Sequence, residues 1–147
     1  PYTNYMKKYL LLSFAFFCSV FAFGQAAGIE TYVNTRKVDG EIILTESCRI
    51  SMVLEAPNSS VPGYVYEFGE VTLKYEDPAT GVLLSRVLVP SRIENGPVLT
   101  FAVHHDVLEG LGGNARIELA YVKRYDRNKN VETFEIPRED LVLAIHY

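Results

Sequence analysis

From residue 29 onward the chain alternates apolar and polar residues in short runs, which turn-forming residues interrupt about every ten to fifteen positions. Such alternation places successive side chains on opposite faces of a strand, and almost no helical periodicity competes with it. The pattern therefore predicts an all-β fold, an antiparallel β-sandwich of about eight to nine strands with immunoglobulin-like architecture. A small closed β-barrel is the alternative, because the same number of strands permits it.

The alternating runs that define the predicted strands cover residues 29–35, 41–45, 48–55, 64–68, 70–76, 82–89, 98–105, 116–125 and 131–136. A run of a different kind follows at 141–147. The clearest of the alternating runs has four apolar side chains on one face, Cys48, Ile50, Met52 and Leu54. The strand 98–105 repeats this arrangement with Leu99, Phe101 and Val103. We expect both of these apolar faces to lie in the core.

Turn-forming residues mark the connections between these strands. Asp39-Gly40 predicts a two-residue hairpin turn, and the segment 77–81 (DPATG) predicts a second tight turn. Residues 106–110 predict one helical turn, because the segment has an acidic cap and a glycine stop. The remaining connections are polar or proline-containing loops at 56–63, 91–97 and 126–130.

Residues 6–24 have the three parts of a secretory signal peptide, which are a basic start at Lys7-Lys8, an apolar run over 9–23 and a small-residue exit. The run is shorter than the stretch of about twenty apolar residues that a membrane-spanning helix needs. We expect a helical leader that is cleaved before Gln25, with cleavage after Ala26 as the alternative, which leaves no stable membrane span. The alternatives are an uncleaved anchor, a core helix, and a lipoprotein processed at Cys18, where bulky preceding residues disfavour processing. Residues 1–5 precede the first methionine and are expected to be upstream sequence or a scar.

Cleavage leaves residues 25–147, which we expect to form a single β domain that is secreted, periplasmic or held in the cell envelope. The whole chain has 14 Lys and Arg against 18 Asp and Glu, and both lysines of the leader are removed with it. The resulting acidic balance argues against binding to nucleic acid through a positive field. The expected partner is a protein or a glycan in the cell envelope or outside the cell.

Cys48 is the single cysteine that remains after cleavage, so an internal disulfide cannot form and the fold depends on packing. Its place in a regular strand predicts a buried small hydrophobic residue. A reactive or intermolecular thiol is the alternative, which would need a base and an orienting group nearby.

The segment His104-His105-Asp106 has residue types suited to a metal site or to acid–base chemistry. Neighbours on a strand point to opposite faces, so only His104 and Asp106 could share an ion, with a third ligand such as His146. The alternative is that Asp106 caps the following turn. No phosphate-binding loop and no nucleophile elbow occur in the sequence. We therefore expect no catalytic residues, no cofactor and no enzymatic activity.

Two sets of residues are candidates for a binding surface. One side of a predicted strand carries Tyr64, Tyr66 and Phe68, whose rings could stack on sugars or on a partner's apolar surface. Their alternative place is the inner face of the sheet. Arg127 and Lys129 occupy the loop 126–130, and loops on a rigid scaffold can vary without disturbing the core. Replacing both of them is expected to leave the melting temperature nearly unchanged.

The last run, 141–147 (LVLAIHY), is continuously apolar rather than alternating. Burial on both faces as a central strand would explain it, and so would an unpaired edge through which two copies associate. Together these features predict an exported binding or structural module. A carrier of an apolar ligand in a small barrel is the alternative, and an exported hydrolase is the least favoured hypothesis.

Overall fold

The computed structural model describes residues 25–90, 96–108 and 113–147. Strands account for 56% of these residues, and they form three separate sheets, none of which closes into a barrel. The all-β prediction is therefore confirmed, and the closed barrel is not the fold that these residues adopt. The leader 6–24 with Cys18, the upstream residues 1–5, most of the loop 91–97 and the predicted glycine stop at Gly110 lie outside the described residues.

The described residues contain thirteen strands, one short α-helix and one 3₁₀ turn. The first five strands are β1 (Gln25–Ala26), β2 (Gly28–Val33), β3 (Arg36–Val38), β4 (Glu41–Ile43) and β5 (Cys48–Glu55). The next four are β6 (Val65–Phe68), β7 (Val71–Glu76), β8 (Leu83–Leu88) and β9 (Val98–Val103). The helix α1 (His105–Leu108) is followed by β10 (Asn114–Leu119), β11 (Val122–Tyr125) and β12 (Val131–Glu135). The chain then makes the 3₁₀ turn Arg138–Leu141 and continues into β13 (Val142–His146).

The strands pair in three sheets. The first sheet has the order β3-β2-β5-β9, the second has the order β4-β13-β10-β7-β8, and the third has the order β1-β12-β11-β6. Most pairs are antiparallel, but β1 pairs with β12 and β4 pairs with β13 in parallel. The prediction of a purely antiparallel arrangement is wrong at these two edges, where strands from distant parts of the chain meet without a hairpin between them.

Buried apolar residues of all three sheets belong to one hydrophobic cluster. The predicted inner faces of β5 and β9 are confirmed, because alternate residues of both strands are buried and Ile50 and Phe101 are fully enclosed. Cys48 is buried at the start of β5, and burial, with a smaller contribution from Glu46, raises the pKa of its thiol. This thiol is therefore a small hydrophobic core residue, as predicted, and not a reactive group.

The β2–β3 hairpin differs from the predicted strand 29–35. Asn34 and Thr35 have φ angles of 45° and 74°, and they form the two-residue turn that joins β2 to β3. Positive φ at both positions is the geometry of the tight hairpin turns in which Asn is favoured. The predicted hairpin turn Asp39-Gly40 instead takes the chain from β3 in the first sheet to β4 in the second, with Gly40 at a φ of 73°.

The predicted strand 116–125 is divided at Ala120 and Tyr121 into β10 and β11, which belong to different sheets. The chain makes the same change of sheet beside this break. β6 belongs to the third sheet and β7 to the second, and Gly69 and Glu70 lie between them. The amide of Gly69 donates to the carbonyl of Tyr121, and that of Ala120 donates to the carbonyl of Glu70. A Cβ atom on Gly69 would lie 2.8 Å from the Tyr121 ring, so glycine is required here. The break reverses the alternation, so Tyr121 faces outward, whereas an unbroken strand would place it on the buried face of Ile117 and Leu119.

β13 lies between β4 and β10 in the second sheet, with Leu143 and Ile145 buried. The interpretation of the run 141–147 as a central strand is correct. The alternative of an unpaired edge is wrong, because β13 pairs with β10 on one side and with β4 on the other. Its second face is only partly covered, since Val142 and Ala144 have intermediate exposure.

Helical structure in the described ranges is limited to α1 and the 3₁₀ turn. The helix begins one residue before the predicted start at Asp106, and the amide of Val107 donates to the carbonyl of His104. No helix in this part of the chain has the length and hydrophobicity needed to cross a membrane.

Candidate binding surface

The aromatic side chains of β6 and of the residue before it point to the inner side of the third sheet. Tyr66 is buried, and Tyr64 and Phe68 are partly buried against the core cluster. The inner-face alternative is therefore the arrangement found, and these three rings do not form an exposed platform. Val65 and Glu67, which alternate with them, face outward on the same strand.

Arg124, on β11 of the third sheet, is buried, with 1% of its area exposed. Its Nε donates to Glu132 at 2.5 Å, and its Nη1 donates to the carbonyl of Pro57 at 2.7 Å. The guanidinium carbon lies 4.1 Å from the centroid of the Tyr64 ring and 5.2 Å from that of Phe134. Because a buried charge without partners is very costly, these contacts fix the position of Arg124 and, with it, the loop that contains Pro57.

The alternation in the sequence does not reveal that Arg124 is buried. A regular strand over 116–125 would have turned Tyr121 inward and Arg124 outward, and the break after β10 exchanges the two faces. The signal that could have located the break is Gly69, which interrupts the apolar pattern of the neighbouring strand between 64–68 and 70–76.

Two of the three predicted loops, 56–63 and 126–130, lie side by side in the structure. Between them is a shallow depression of about 390 Å³ lined by residues 61–64 and 126–128, which we call the loop-end groove. Arg127 packs directly against Gly63, where a Cβ atom would collide with its side chain. Lys129 adopts a φ of 61° in the turn and does not line the groove.

Both loops are ordered by internal hydrogen bonds. Asp126 Oδ1 accepts from the amides of Asn128 and Asn130, and its Oδ2 accepts from the side chain of Asn130. The hydrogen bonds from the Asn130 side chain and then from the backbone lower the pKa of Asp126. In the other loop the hydroxyl of Ser59 donates to the carbonyl of Ala56 at 2.7 Å. The loop-end groove therefore has walls of defined geometry.

The outer side of β6 and β11 carries a polar cluster, the tyrosine face, formed by Glu67, Tyr121, Lys123 and Tyr125. The hydroxyls of Tyr121 and Tyr125 donate to the two oxygens of Glu67, each at 3.0 Å. These hydrogen bonds lower the pKa of Glu67 and raise the pKa of both tyrosines. Lys123 Nζ lies 4.8 Å from the centroid of the Tyr121 ring, and Tyr121 is 42% exposed. Tyr125 of the tyrosine face directly precedes Asp126, which lines the loop-end groove.

The candidate metal ligands His104 and Asp106 are exposed at the start of α1. The amide of His105, between them, donates to the hydroxyl of Ser47 at 2.9 Å. The suggested third ligand, His146, makes a 2.7 Å hydrogen bond with Asn114 and lies 3.4 Å from Glu41. Residues 25–90, 96–108 and 113–147 contain no group of three His, Cys, Asp or Glu side chains that could hold a metal ion.

The chain has no match among protein-family models, curated proteins or solved structures.

Proposed function

We propose that the protein is an exported binding module, a β-sandwich of immunoglobulin-like architecture that holds a protein partner at the loop-end groove and the tyrosine face. The observation that carries this proposal is the position of the loops 56–63 and 126–130, which are distant in sequence and form the walls of one groove. Binding residues lie preferentially on loops that a rigid scaffold positions.

The sandwich is supported by the single core cluster to which all three sheets contribute. Sheets that bury a shared apolar face leave their opposite faces and connecting loops in contact with solvent. The rings of Phe101 and Tyr66 lie in this core, which favours a packed interior over the apolar cavity that a ligand carrier would need. Export is supported by the leader pattern of residues 6–24.

The contacts of Arg124 are evidence for a preorganised binding site, which has its final shape before the partner binds. Replacing a buried ion pair with apolar residues is often neutral or stabilising, so stability alone is a weak explanation for such a pair. Here the guanidinium joins the carbonyl of Pro57, in one loop wall, to Glu132 on the strand that follows the other wall. Holding both walls in one arrangement reduces the ordering cost of binding.

The chemistry of the surface favours a protein partner over a glycan. The segment 56–64 (APNSSVPGY) is rich in Asn, Ser, Gly and Tyr, the residue types that dominate the binding loops of antibodies. The loop-end groove adds Asp126 and Arg127, which can pair with charged groups of a partner. Lys123 covers part of the Tyr121 ring, which leaves less of it free to stack on a sugar.

Capture from culture fluid and envelope extracts by the immobilised full chain tests this proposal. The double variant Arg127→Ala/Lys129→Ala removes the basic side chain of the groove and its neighbour in the turn. We expect about a tenfold loss of specific capture, which corresponds to about 1.4 kcal/mol, with a nearly unchanged melting temperature. The matched control Arg36→Ala/Lys37→Ala removes the same two residue types from β3 in the first sheet and should capture as the wild type does.

Equal capture by the wild type and both double variants would contradict the assignment of the groove. Capture that survives protease treatment of the extract and disappears after glycosidase treatment would overturn the protein partner in favour of a glycan. Amino-terminal sequencing of the exported protein tests the leader. We expect Gln25 as the first residue, and a cytoplasmic protein that retains Met6 would contradict export.

A further inference from the structure

β8 is an edge strand of the second sheet and pairs only with β7 within the described ranges. Its exposed side chains include the polar Ser85 and Arg86 and the apolar Leu83 and Val87, which are 63% and 53% exposed. Val89, just beyond the strand, is 81% exposed. An exposed apolar edge strand presents unpaired backbone groups and is a template for pairing with another strand. The structure therefore assigns to β8 the free edge that the sequence pattern had suggested for 141–147.

The direction of the free backbone groups in β8 follows from its hairpin with β7. The amide of Asp77 donates to the carbonyl of Val82, so this first pair is hydrogen-bonded. Hydrogen-bonded and non-hydrogen-bonded pairs alternate along an antiparallel ladder, so the backbone groups that face β7 are those of Leu84, Arg86 and Leu88. The groups that face the open side are those of Leu83, Ser85 and Val87.

We propose that β8 pairs in antiparallel fashion with β8 of a second copy of this chain, in a register centred on Ser85. Residues opposite each other in a sheet share a face, so a two-fold axis perpendicular to the sheet must pass through a residue position. Ser85 then lies opposite its equivalent, and the further pairs are Leu83 with Val87, Leu84 with Arg86, and Val82 with Leu88. All three residues with open backbone groups gain hydrogen-bonding partners across the axis.

Neighbouring registers are less favourable. A centre on Arg86 would place two guanidinium groups opposite each other, which destabilises the pair. A centre on Leu84 would place Val87 opposite Gly81, in the turn, where the strand does not continue. The register centred on Ser85 pairs apolar side chains on the outer face and sets the aliphatic stem of Arg86 against Leu84.

The occupant is a second copy because the strand is complementary to itself. Arg86 is the one charged side chain in β8, so the self-paired strand opposes no like charges in this register. A contact through one six-residue strand is smaller than a standard interface, which buries about 1,600 Å² in total. We therefore expect an equilibrium between monomer and dimer that depends strongly on protein concentration. It is separate from the proposed partner binding, because β8 belongs to the second sheet and the tyrosine face to the third.

Cysteine substitution in the full chain tests the register. Ser85→Cys places two thiols on opposed residues whose Cα atoms are about 5.5 Å apart, within the range of a disulfide. Val87→Cys lies on the same outer face and is the matched control, because its equivalent in the other copy is four residues along the strand, about 13 Å away. After oxidation we expect a covalent dimer from Ser85→Cys and none from Val87→Cys. Combining Val87→Cys with Leu83→Cys should restore cross-linking, and the buried Cys48 is common to all three variants.

Sedimentation measures the association without added cysteines. The wild type is expected to change from monomer to dimer as its concentration rises, and Val87→Lys is expected to remain monomeric because it sets an ammonium group opposite Leu83. The groove variant Arg127→Ala/Lys129→Ala should dimerise as the wild type does. A wild type that is monomeric at every concentration would overturn the proposal, and equal cross-linking by the two single-cysteine variants would overturn the register.

Discussion

The tyrosine face of the third sheet and the β8 edge of the second sheet are both exposed, but they are built in opposite ways. β11 is paired on both sides, and Glu67 accepts hydrogen bonds from Tyr121 and Tyr125 within the protein. β8 is paired on one side in the described part of the chain, and Leu83 and Val87 are turned to solvent.

This difference separates two ways in which a β protein presents a surface. A surface whose polar groups hydrogen-bond to one another keeps its shape without a partner. The stability of the protein then depends on pH through the carboxylate that accepts these hydrogen bonds. A surface with open backbone groups and apolar side chains depends on the concentration of another strand. Substitutions in the first region should therefore change stability, whereas substitutions in the second should change association.

Loss of Arg124 has the largest expected effect. Arg124→Ala leaves Glu132 and the carbonyl of Pro57 without their donor and removes the contact with the Tyr64 ring. We expect the free energy of unfolding to fall by about 3 kcal/mol, the lower end of the range for a broken buried ion pair, because Glu132 is partly exposed. Denaturant unfolding at neutral pH measures this loss.

The double variant Arg124→Met/Glu132→Leu is the control for that measurement, since it removes both charges and keeps side chains of similar size. It is expected to recover most of the lost stability but to bind less well at the loop-end groove, because Pro57 loses its anchor. If the single and double variants lost the same stability, an unpaired charge would not be the cause.

Gly69→Ala has the next largest expected effect. The added Cβ would lie 2.8 Å from the Tyr121 ring at the point where two strands change sheets. We expect a loss of about 2 kcal/mol from this overpacking, measured by thermal or denaturant unfolding. Gly96→Ala is the matched control and should be nearly neutral, since a Cβ there has no atom within 4 Å. A Gly69→Ala variant as stable as Gly96→Ala would show that the ring moves aside freely.

Sequence alternation was sufficient to predict which residues face the core within a strand, as β5 and β9 show. It could not predict which sheet a strand joins, because that choice depends on long-range partners such as the parallel pairs β1–β12 and β4–β13. Asp39-Gly40 has the composition of a hairpin turn, yet its two flanking strands found partners in different sheets. The two-residue turn at Asn34-Thr35 could not be recognised either, because the sequence 29–35 has the pattern of one continuous strand.

The candidate site was partly accessible from the sequence. The loops 56–63 and 126–130 are recognisable by composition, but their proximity follows from the pairing of β6 with β11. The burial of Arg124 and the exposure of Tyr121 could not be predicted, because the break after β10 reverses an alternation that looks regular in the sequence. The inner-face position of Tyr64, Tyr66 and Phe68 could be predicted from the alternation alone, because side chains two positions apart in a strand point to the same side.

Glu67→Gln is expected to have a smaller effect, which appears as a change in pH dependence. The folded pKa of Glu67 is below its usual 4.5, so its hydrogen bonds stabilise the fold above pH 4.5, and this stabilisation is lost as pH falls through the lowered pKa. The folded pKa values of Tyr121 and Tyr125 are above the usual 10.0. Their contribution is therefore present below pH 10.0 and lost as pH rises through the raised pKa values.

In the Glu67→Gln variant, both of these dependences should weaken. Unfolding midpoints at neutral and acid pH measure the first, and tyrosinate absorbance in an alkaline titration measures the second. We expect a smaller loss of stability on acidification than in the wild type, and ionisation of the two tyrosines at lower pH. Glu55→Gln, at the exposed end of β5, is the control. A wild-type response of Glu67→Gln in both titrations would contradict the role of this carboxylate.

Val87→Lys should have the smallest effect on stability. Val87 is 53% exposed on β8, and substitutions at such positions usually change the free energy of unfolding by less than about 0.5 kcal/mol. Unfolding in dilute solution, where the protein is monomeric, measures the change. A loss comparable to that of Gly69→Ala would show that the outer face of β8 is packed and not open.

Amide hydrogen exchange along β8, measured over a range of protein concentrations, tests most directly the claim that this edge is open in the monomer and closes on a second copy. In dilute protein we expect slow exchange at Leu84 and Arg86, whose amides face β7, and fast exchange at Leu83, Ser85 and Val87. In concentrated protein the last three amides should become protected, while β11 does not change. Fast exchange at these three amides at every concentration, or protection already present in dilute protein, would contradict the claim.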